Sequence, residues 1–312
     1  MRADAAVNGD TMRLATILVL QLSAAGSLVL AQSSSSPELS PHDEWNRKLA
    51  ESQDRDPYWL DHEGQRREPF QIFDNLYYVG LQRVGAHLLT TSEGLILIDA
   101  TFDNLAYQLL DNIRKLGFDP ADIRYIICTH AHHDHASGVK RIQQASGAQV
   151  VMAAGDWVLM EGAETSQRFR FPSVPRGIVA REGDSITLGE TTIQFFLTPG
   201  HTPGVLTMRY DVHDGENTYR ALTFGGPGTN FQGVNRAEMF LRSLEKLQAM
   251  DGVEVHIPPH PFLNDEFEKA KKLKARKAGE PHPFVDPEEF QAFLESLVGR
   301  GKEKLAREKE RK

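Results

Sequence analysis

Four histidines and a carboxylate stand within seven residues in Thr129-His130-Ala131-His132-His133-Asp134-His135, directly after the apolar, strand-like run Tyr125-Ile126-Ile127-Cys128. Neutral imidazole nitrogens and carboxylate oxygens are the donors that zinc takes where thiolates are absent. Side chains two apart in an extended chain point the same way, so His130 and His132 are placed to grip one metal ion. Asp134 and His135 are then left to face a second position. An ordered cluster of this kind is uncommon in polar loops, and it points to a metal site.

Further ligands are sought among the other histidines of the chain, which has 12 in all. His201 lies in Leu197-Thr198-Pro199-Gly200-His201-Thr202-Pro203-Gly204, between two strand-like runs. The flanking Pro and Gly make a tight turn there, which suits a ligand that must be held still. His260 follows the apolar run Val253-Glu254-Val255-His256-Ile257 and is boxed by Pro258, Pro259 and Pro261. Both sit where a strand gives way to a loop. His256 lies inside its run and reads as a packed or surface side chain. His213 and His282 belong to ordinary polar and Pro-flanked loops.

With these residues in place the chain resembles the metallo-β-lactamase superfamily. The His-x-His-x-Asp-His signature stands as His130, His132, Asp134 and His135, and the Thr-Pro-Gly-His-Thr turn holds His201. The resemblance implies a zinc ion held by His130, His132 and His201, and a second held by Asp134, His135 and His260, two per chain. His133 occupies a variable position and is not an expected ligand. The likeness runs from about Glu68 to Leu297. Its flanking stretches, among them Leu97-Ile98-Asp99-Ala100 and Glu280-Pro281-His282-Pro283-Phe284-Val285, look most like the third subclass of true metallo-β-lactamases.

Two absences bear on that placement. The only cysteine is Cys128, two residues before His130, so a second site of Asp-Cys-His type cannot be built. It reads as a small buried strand residue rather than a reactive thiol. Glyoxalase-type and lactonase-type relatives carry a metal-bridging carboxylate after the strand that follows the His201 turn. Here that stretch reads Arg220-Ala221-Leu222-Thr223-Phe224-Gly225-Gly226-Pro227-Gly228-Thr229-Asn230, without an acid. Pro227 stands near where third-subclass enzymes usually have a serine, and it offers neither a hydroxyl nor a backbone N–H. Thr229 is the candidate to recover part of that role in substrate binding.

The elements that must position these residues are legible as a layered α/β scaffold. Strand-like runs cover Leu76–Val79, His87–Thr91, Leu95–Ile98, Tyr125–Cys128, Gln149–Met152, Ile186–Leu188, Thr192–Leu197, Val205–Tyr210, Arg220–Phe224 and Val253–Ile257. Glu93-Gly94, Gly189-Glu190 and Asp214-Gly215 suit hairpin connections. Helical periodicity marks Leu105 to Leu116, Val139 to Ala145, Arg236 to Met250, Asp265 to Ala278 and Pro287 to Val298. The last starts with Asp286 as N-cap, Pro287 at the first position and Glu289 closing a capping box. Two groups of strands with helices interspersed predict a four-layer αββα sandwich, as the resemblance also implies.

The chain has 312 residues, 40% hydrophobic and 25% charged, with net charge −8. That balance fits an ordinary globular protein and argues against nucleic acid as a partner. A small molecule is the expected one. Leu14 to Leu30 with Val29-Leu30-Ala31 resembles a cleaved secretory signal, residues 1–31, with an uncleaved anchor as the competing reading. Export would place the protein in the periplasm or outside the cell, with no stable membrane association after cleavage. Residues 32–67 read as a flexible lead-in, 68–298 as the metallo-β-lactamase domain, and 299–312 as a frayed charged tail.

The expected chemistry is opening of a β-lactam amide by a zinc-bound hydroxide, with Asp134 as both ligand and orienter of the nucleophile. Such an activity would confer antibiotic resistance. Asp99, at a strand end, is a candidate to orient a ligand histidine, or else a turn or cap residue. The alternatives are hydrolysis of a lactone, thioester or phosphodiester at the same site, and zinc binding without catalysis. A purely structural zinc site is normally closed by four ligands, which counts against the last.

Overall fold

The computed structural model describes residues 60–166 and 170–311. The expected signal, residues 1–31, and residues 32–59 of the expected lead-in lie outside the described residues. Residues 60–67 are not a loose lead-in. Gln65 is buried, the Gln108 side chain donates to the His62 carbonyl at 2.7 Å, and Asn112 donates to that of Arg67 at 3.0 Å. Among the described residues no helix is long and apolar enough to cross a membrane.

Seven strands form the first sheet in chain order: β1 (Phe70–Phe73), β2 (Leu76–Tyr78), β3 (His87–Thr91), β4 (Gly94–Ile98), β5 (Ile123–Ile127), β6 (Gln149–Ala153) and β7 (Ile178–Ala180). Pairing is antiparallel from β1 to β4 and parallel from β4 to β7. Parallel neighbours need crossovers, and three helices supply them: α1 (Ala106–Lys115), α3 (Val139–Ser146) and α4 (Ala154–Glu161). Between β5 and α3 lies one short helix, α2 (His133–Ala136). The second sheet runs β12 (Val255–His256), β11 (Asn217–Phe224), β10 (Leu206–Asp214), β9 (Thr191–Leu197) and β8 (Ser185–Leu188).

Strands covered on both faces carry apolar residues at every position, and their alternation separates two cores. Leu95, Leu97, Ile126, Val150 and Met152 face the α1, α3 and α4 side, meeting Leu109, Ile113, Val139, Ile142 and Trp157. Ile96, Ile98, Ile127 and Val151 face the second sheet, meeting Phe195, Met208, Tyr210 and Ala221. The outer face of the second sheet, with Leu222 and Phe224, packs on Phe240, Leu244, Phe290, Leu294 and Leu297. Those residues come from α5 (Val234–Gln248) and α7 (Pro287–Glu310). The layers are therefore helix, sheet, sheet, helix, the four-layer αββα sandwich expected from the sequence.

Three features depart from the sequence reading. β1, β7, α2 and α4 are not legible in the sequence. The Asp286 carboxylate caps α7 through Glu288 and Glu289, but Glu289 does not close a box, because its side chain reaches Lys269 instead and Asp286 N–H donates to Glu254 O. Finally, residues 299–310 are not a frayed tail: α7 continues to Glu310. Gly301 brings its backbone onto Leu241, where an added Cβ would sit 2.8 Å from a methyl. The buried Glu308 carboxylate pairs with Lys304 at 2.7 Å and accepts from Gly233 N–H at 2.8 Å.

Candidate metal centre

All of the expected ligand side chains converge at strand ends on one side of the sandwich. Beyond the end of β5, Cys128 N–H still donates to Val151 O on β6. Cys128 is buried, and burial pushes its thiol pKa well up, as expected of a packing residue. The chain then leaves the sheet and presents His130 and His132 before turning into α2, which carries Asp134 and His135. The Pro199–Gly204 turn between β9 and β10 brings His201. The segment after β12 brings His260, latched where Gly85 N–H donates to Pro259 O at 2.8 Å. A buried hydrogen bond between His87 Nε2 on β3 and Glu266 Oε1 at 2.9 Å ties down the start of α6 (Glu266–Ala275) just beyond it.

Two triads result, His130/His132/His201 and Asp134/His135/His260, with the donor atoms of each within 4.8 Å of one another. In the first, His130 Nε2 lies 3.1 Å from His132 Nδ1 and 3.1 Å from His201 Nε2. In the second, His135 Nε2 lies 3.3 Å from His260 Nε2 and 3.3 Å from Asp134 Oδ2. Tetrahedral zinc with Zn–N bonds of about 2.0–2.1 Å sets its donors roughly 3.3 Å apart. The donor set and its spacing therefore fit zinc.

The opposite ring nitrogens of His130, His135, His201 and His260 are occupied, which fixes how those rings point. His201 Nδ1 meets Gly228 O at 2.9 Å and His260 Nδ1 meets Arg83 O at 2.9 Å. His135 Nδ1 meets Asp99 Oδ2 at 2.8 Å. Asp99 also accepts from Thr129 N–H at 2.7 Å and from Thr129 Oγ1 at 2.8 Å, and Thr129 Oγ1 lies 3.1 Å from His130 Nδ1. To reach these groups Asp99 adopts φ 62°, a left-handed backbone unusual for a non-glycine residue. Asp99 thus orients the His135 ring rather than capping a helix.

Burial drives the first triad toward neutral rings, the form that binds metal. The His130 pKa falls well below its ordinary value, His132 falls to about 3 and His201 to about 4. Burial also lowers His260. In the second triad burial is overridden: against it, Asp134 and Asp99 raise His135 to about 10. Burial likewise opposes the Asp134 charge, yet His135, His133 and His260 hold its carboxyl well below the usual range. Asp134 is ionised.

One functional residue is absent from the sequence reading. The Asp156 carboxylate, on α4, is fully buried and accepts from Ala131 N–H, Thr202 Oγ1 and Gly204 N–H, each at 2.8 Å. Burial raises its pKa to about 6 against the lowering effect of those bonds. In sequence it is one more acid in a stretch with no legible helix, and nothing in its spacing marks it out.

The triads open into a cleft of about 1320 Å³. Thr229 and Asn230 lie on one wall, with Leu159, Phe262 and Arg300 around it. Pro227 lines it as well, and no acid stands between Arg220 and Asn230.

Residues 80–214 match the sequence profile of the metallo-beta-lactamase superfamily. BJP-1, a subclass B3 metallo-beta-lactamase of Bradyrhizobium japonicum, superimposes with a TM-score of 0.74 and 33% identity, over 80% of this chain and 98% of that one. This chain belongs to the metallo-β-lactamase superfamily. The FEZ-1 metallo-beta-lactamase from Legionella gormanii is similar at TM-score 0.74 and 27% identity, covering 79% and 98%. A hydroxyacylglutathione hydrolase of Rhodospirillum rubrum is 30% identical over 147 residues, 47% of this chain and 50% of its own length. The N-acyl homoserine lactonase AttM of Agrobacterium fabrum is 30% identical over 104 residues, 30% of this chain and 38% of its own. The chain thus spans half or less of these two curated relatives. All four relatives are hydrolases by name, and metal-dependent hydrolase is the class they support for this superfamily member.

Proposed function

We propose that the protein is a zinc-dependent β-lactamase binding two zinc ions per chain, at His130/His132/His201 and at Asp134/His135/His260. The observation that carries this reading is the pair of complete triads beside a loop without a bridging carboxylate, on a scaffold that aligns with almost the whole of a subclass B3 enzyme. Zinc bound there supplies Lewis-acid polarisation of a carbonyl and a water that ionises near pKa ~7.

The chain's own residues do the rest. The ionised Asp134 carboxylate faces the cleft and accepts a hydrogen bond from the attacking water, orienting it. Asp99 keeps His135 turned toward the site. Thr229 offers a hydroxyl and Asn230 an amide to the substrate carboxylate on the wall where Pro227 has no donor. The cleft is large enough for a small molecule. The export signal read in residues 1–31 supports action in the periplasm or outside the cell, where β-lactams are met and where hydrolysis would give antibiotic resistance.

A second reading, cleavage of a thioester or lactone at the same centre, draws support from the hydroxyacylglutathione hydrolase and lactonase relatives. The test is loss of β-lactam absorbance with the zinc-loaded protein against a penicillin, a cephalosporin and a carbapenem, with a chelator control. Chelator-sensitive turnover of any of these is the expected result. No turnover by fully metallated protein moves the assignment to the second reading.

A further inference from the structure

We propose that Asp156 is the positioning residue for the three-histidine half of the centre: one buried carboxylate that holds the loop carrying His130 and His132 against the turn carrying His201. The inference rests on the metal-binding reading above but not on any particular substrate.

All three donors to Asp156 come from ligand-bearing segments. Ala131, between His130 and His132, gives its N–H to Oδ2. Thr202, next to His201, gives its hydroxyl to the same oxygen, and Gly204 gives its N–H to Oδ1. The residue does not serve its own helix, because α4 has no side-chain cap and Ala153 is its N-cap. No lysine or arginine forms a direct salt bridge with Asp156 among the described residues, so these three bonds, helped by the nearby positive charge of Arg236, offset the cost of burying the carboxylate.

Packing leaves this arrangement no slack. A Cβ at Gly204 would lie 2.5 Å from Asp156 N, and one at Gly155 would lie 2.8 Å from the Pro203 carbonyl carbon. Helix and turn therefore meet glycine to glycine, too close for water to stand in for the carboxylate. The far side of the turn is gripped by Arg236 on α5, whose Nε donates to Gly200 O at 2.8 Å and whose Nη2 donates to His201 O. Donors on the turn go to Asp156 and acceptors to Arg236, so His201 is held from both sides.

Asp99 performs the corresponding service for His135. Each triad thus has its own buried aspartate, and loss of Asp156 should weaken one metal site selectively. The test uses the full chain, stripped of metal and titrated with Co²⁺, followed by visible d–d absorption and equilibrium dialysis. Wild type is expected to take two ions. In Asp156→Asn the affinity of one site should fall about 10–100-fold. The absorption lost should match that lost in His201→Ala and not that lost in His260→Ala.

Thr202→Val, which removes a single bond to the carboxylate, should act in the same direction by less than about tenfold. Circular dichroism and the metal-free Tm report whether each variant folds. If Asp156→Asn does not fold, Thr202→Val carries the test, and wild-type Co²⁺ binding in it overturns the proposal. Wild-type affinities and spectrum in a folded Asp156→Asn overturn it, as does equal weakening of both sites. No Co²⁺ bound by wild type overturns the metal reading itself, and this proposal with it.

Discussion

His130 and His201 are buried and His132 is half-buried, and desolvation favours the neutral form of all three rings, with no carboxylate among them. A few ångströms away, His135 lies between the carboxylates of Asp99 and Asp134, which favour its protonated form. Asp134 and His260 also reach the cleft, with side chains 15% and 22% exposed, whereas the His135 side chain is fully buried. The difference teaches that two sites of one centre need not be equally ready. The first presents three donors for which burial favours the binding form. In the second, two carboxylates favour a protonated His135, and Asp134 and His260 stand closer to solvent.

The most severe way to break this contrast is to remove the ring that the two triads share as a neighbour. The His130 ring centroid lies 4.3 Å from that of His135 and 4.7 Å from that of His201. His130→Ala should lower hydrolytic turnover by on the order of 10³-fold or more, the scale of several kcal/mol of lost transition-state stabilisation. Circular dichroism should show the fold retained, and near wild-type turnover would refute the mechanism.

A finer cut is Asp99→Asn. Metal affinity at the Asp134/His135/His260 site should drop about 10–100-fold, with a smaller effect on the other site through Thr129. Isothermal titration of the metal-free variant measures both, and a larger loss at the three-histidine site would reverse the assignment of the two aspartates.

Removal of metal should follow exposure. Under limiting chelator, the Co²⁺-loaded protein should release its ions in two phases, the first matching the spectrum lost in His260→Ala. A single phase would erase the distinction between the triads.

The smallest effect concerns a histidine with no ligand role, needed to separate acid sensitivity of the fold from that of the centre. His256 is buried with neither ring nitrogen partnered among the described residues, and burial lowers its pKa to about 3. With the folded value below the unfolded one near 6.5, its contribution to stability is present above pH 6.5 and is lost as the pH falls toward 3. The slope is at most on the order of 1.4 kcal/mol per pH unit in that window. His256→Leu in metal-free protein should flatten the fall of Tm across it, and an unchanged profile would assign the acid sensitivity elsewhere.

How much of this could be read from residues alone depends on where the signal is stored. The ligands announce themselves by type and spacing, because few other roles demand imidazoles at that density. Strands β3 to β6 are equally legible, since an apolar run bounded by turn residues has few places to go but a sheet covered on both faces. Helix α4 is not: Val158 and Leu159 are 61% and 38% exposed, so its apolar residues form no single stripe. Asp156 is hidden with it, its role being set by chain segments 25 and 46 residues away. The end of α7 misleads for the opposite reason. Gly299 and Gly301 look like terminators, yet Gly301 is what lets the helix close onto Leu241. Pro227 and Thr229 show where the cleft wall runs, but their spacing does not say what lies against it.

The order of strands in the first sheet bears on how the centre is assembled during synthesis. β1 to β7 pair in the order in which they leave the ribosome, each with a neighbour already made, so this half can form early with short loops to close. His130 and His132 are then presented together, while His201 follows His130 by 71 residues and His260 follows His135 by 125. A nascent chain therefore displays a two-histidine half-site well before it can complete either triad. Metal that arrives early meets an open chelator, and metal that arrives late meets a finished one.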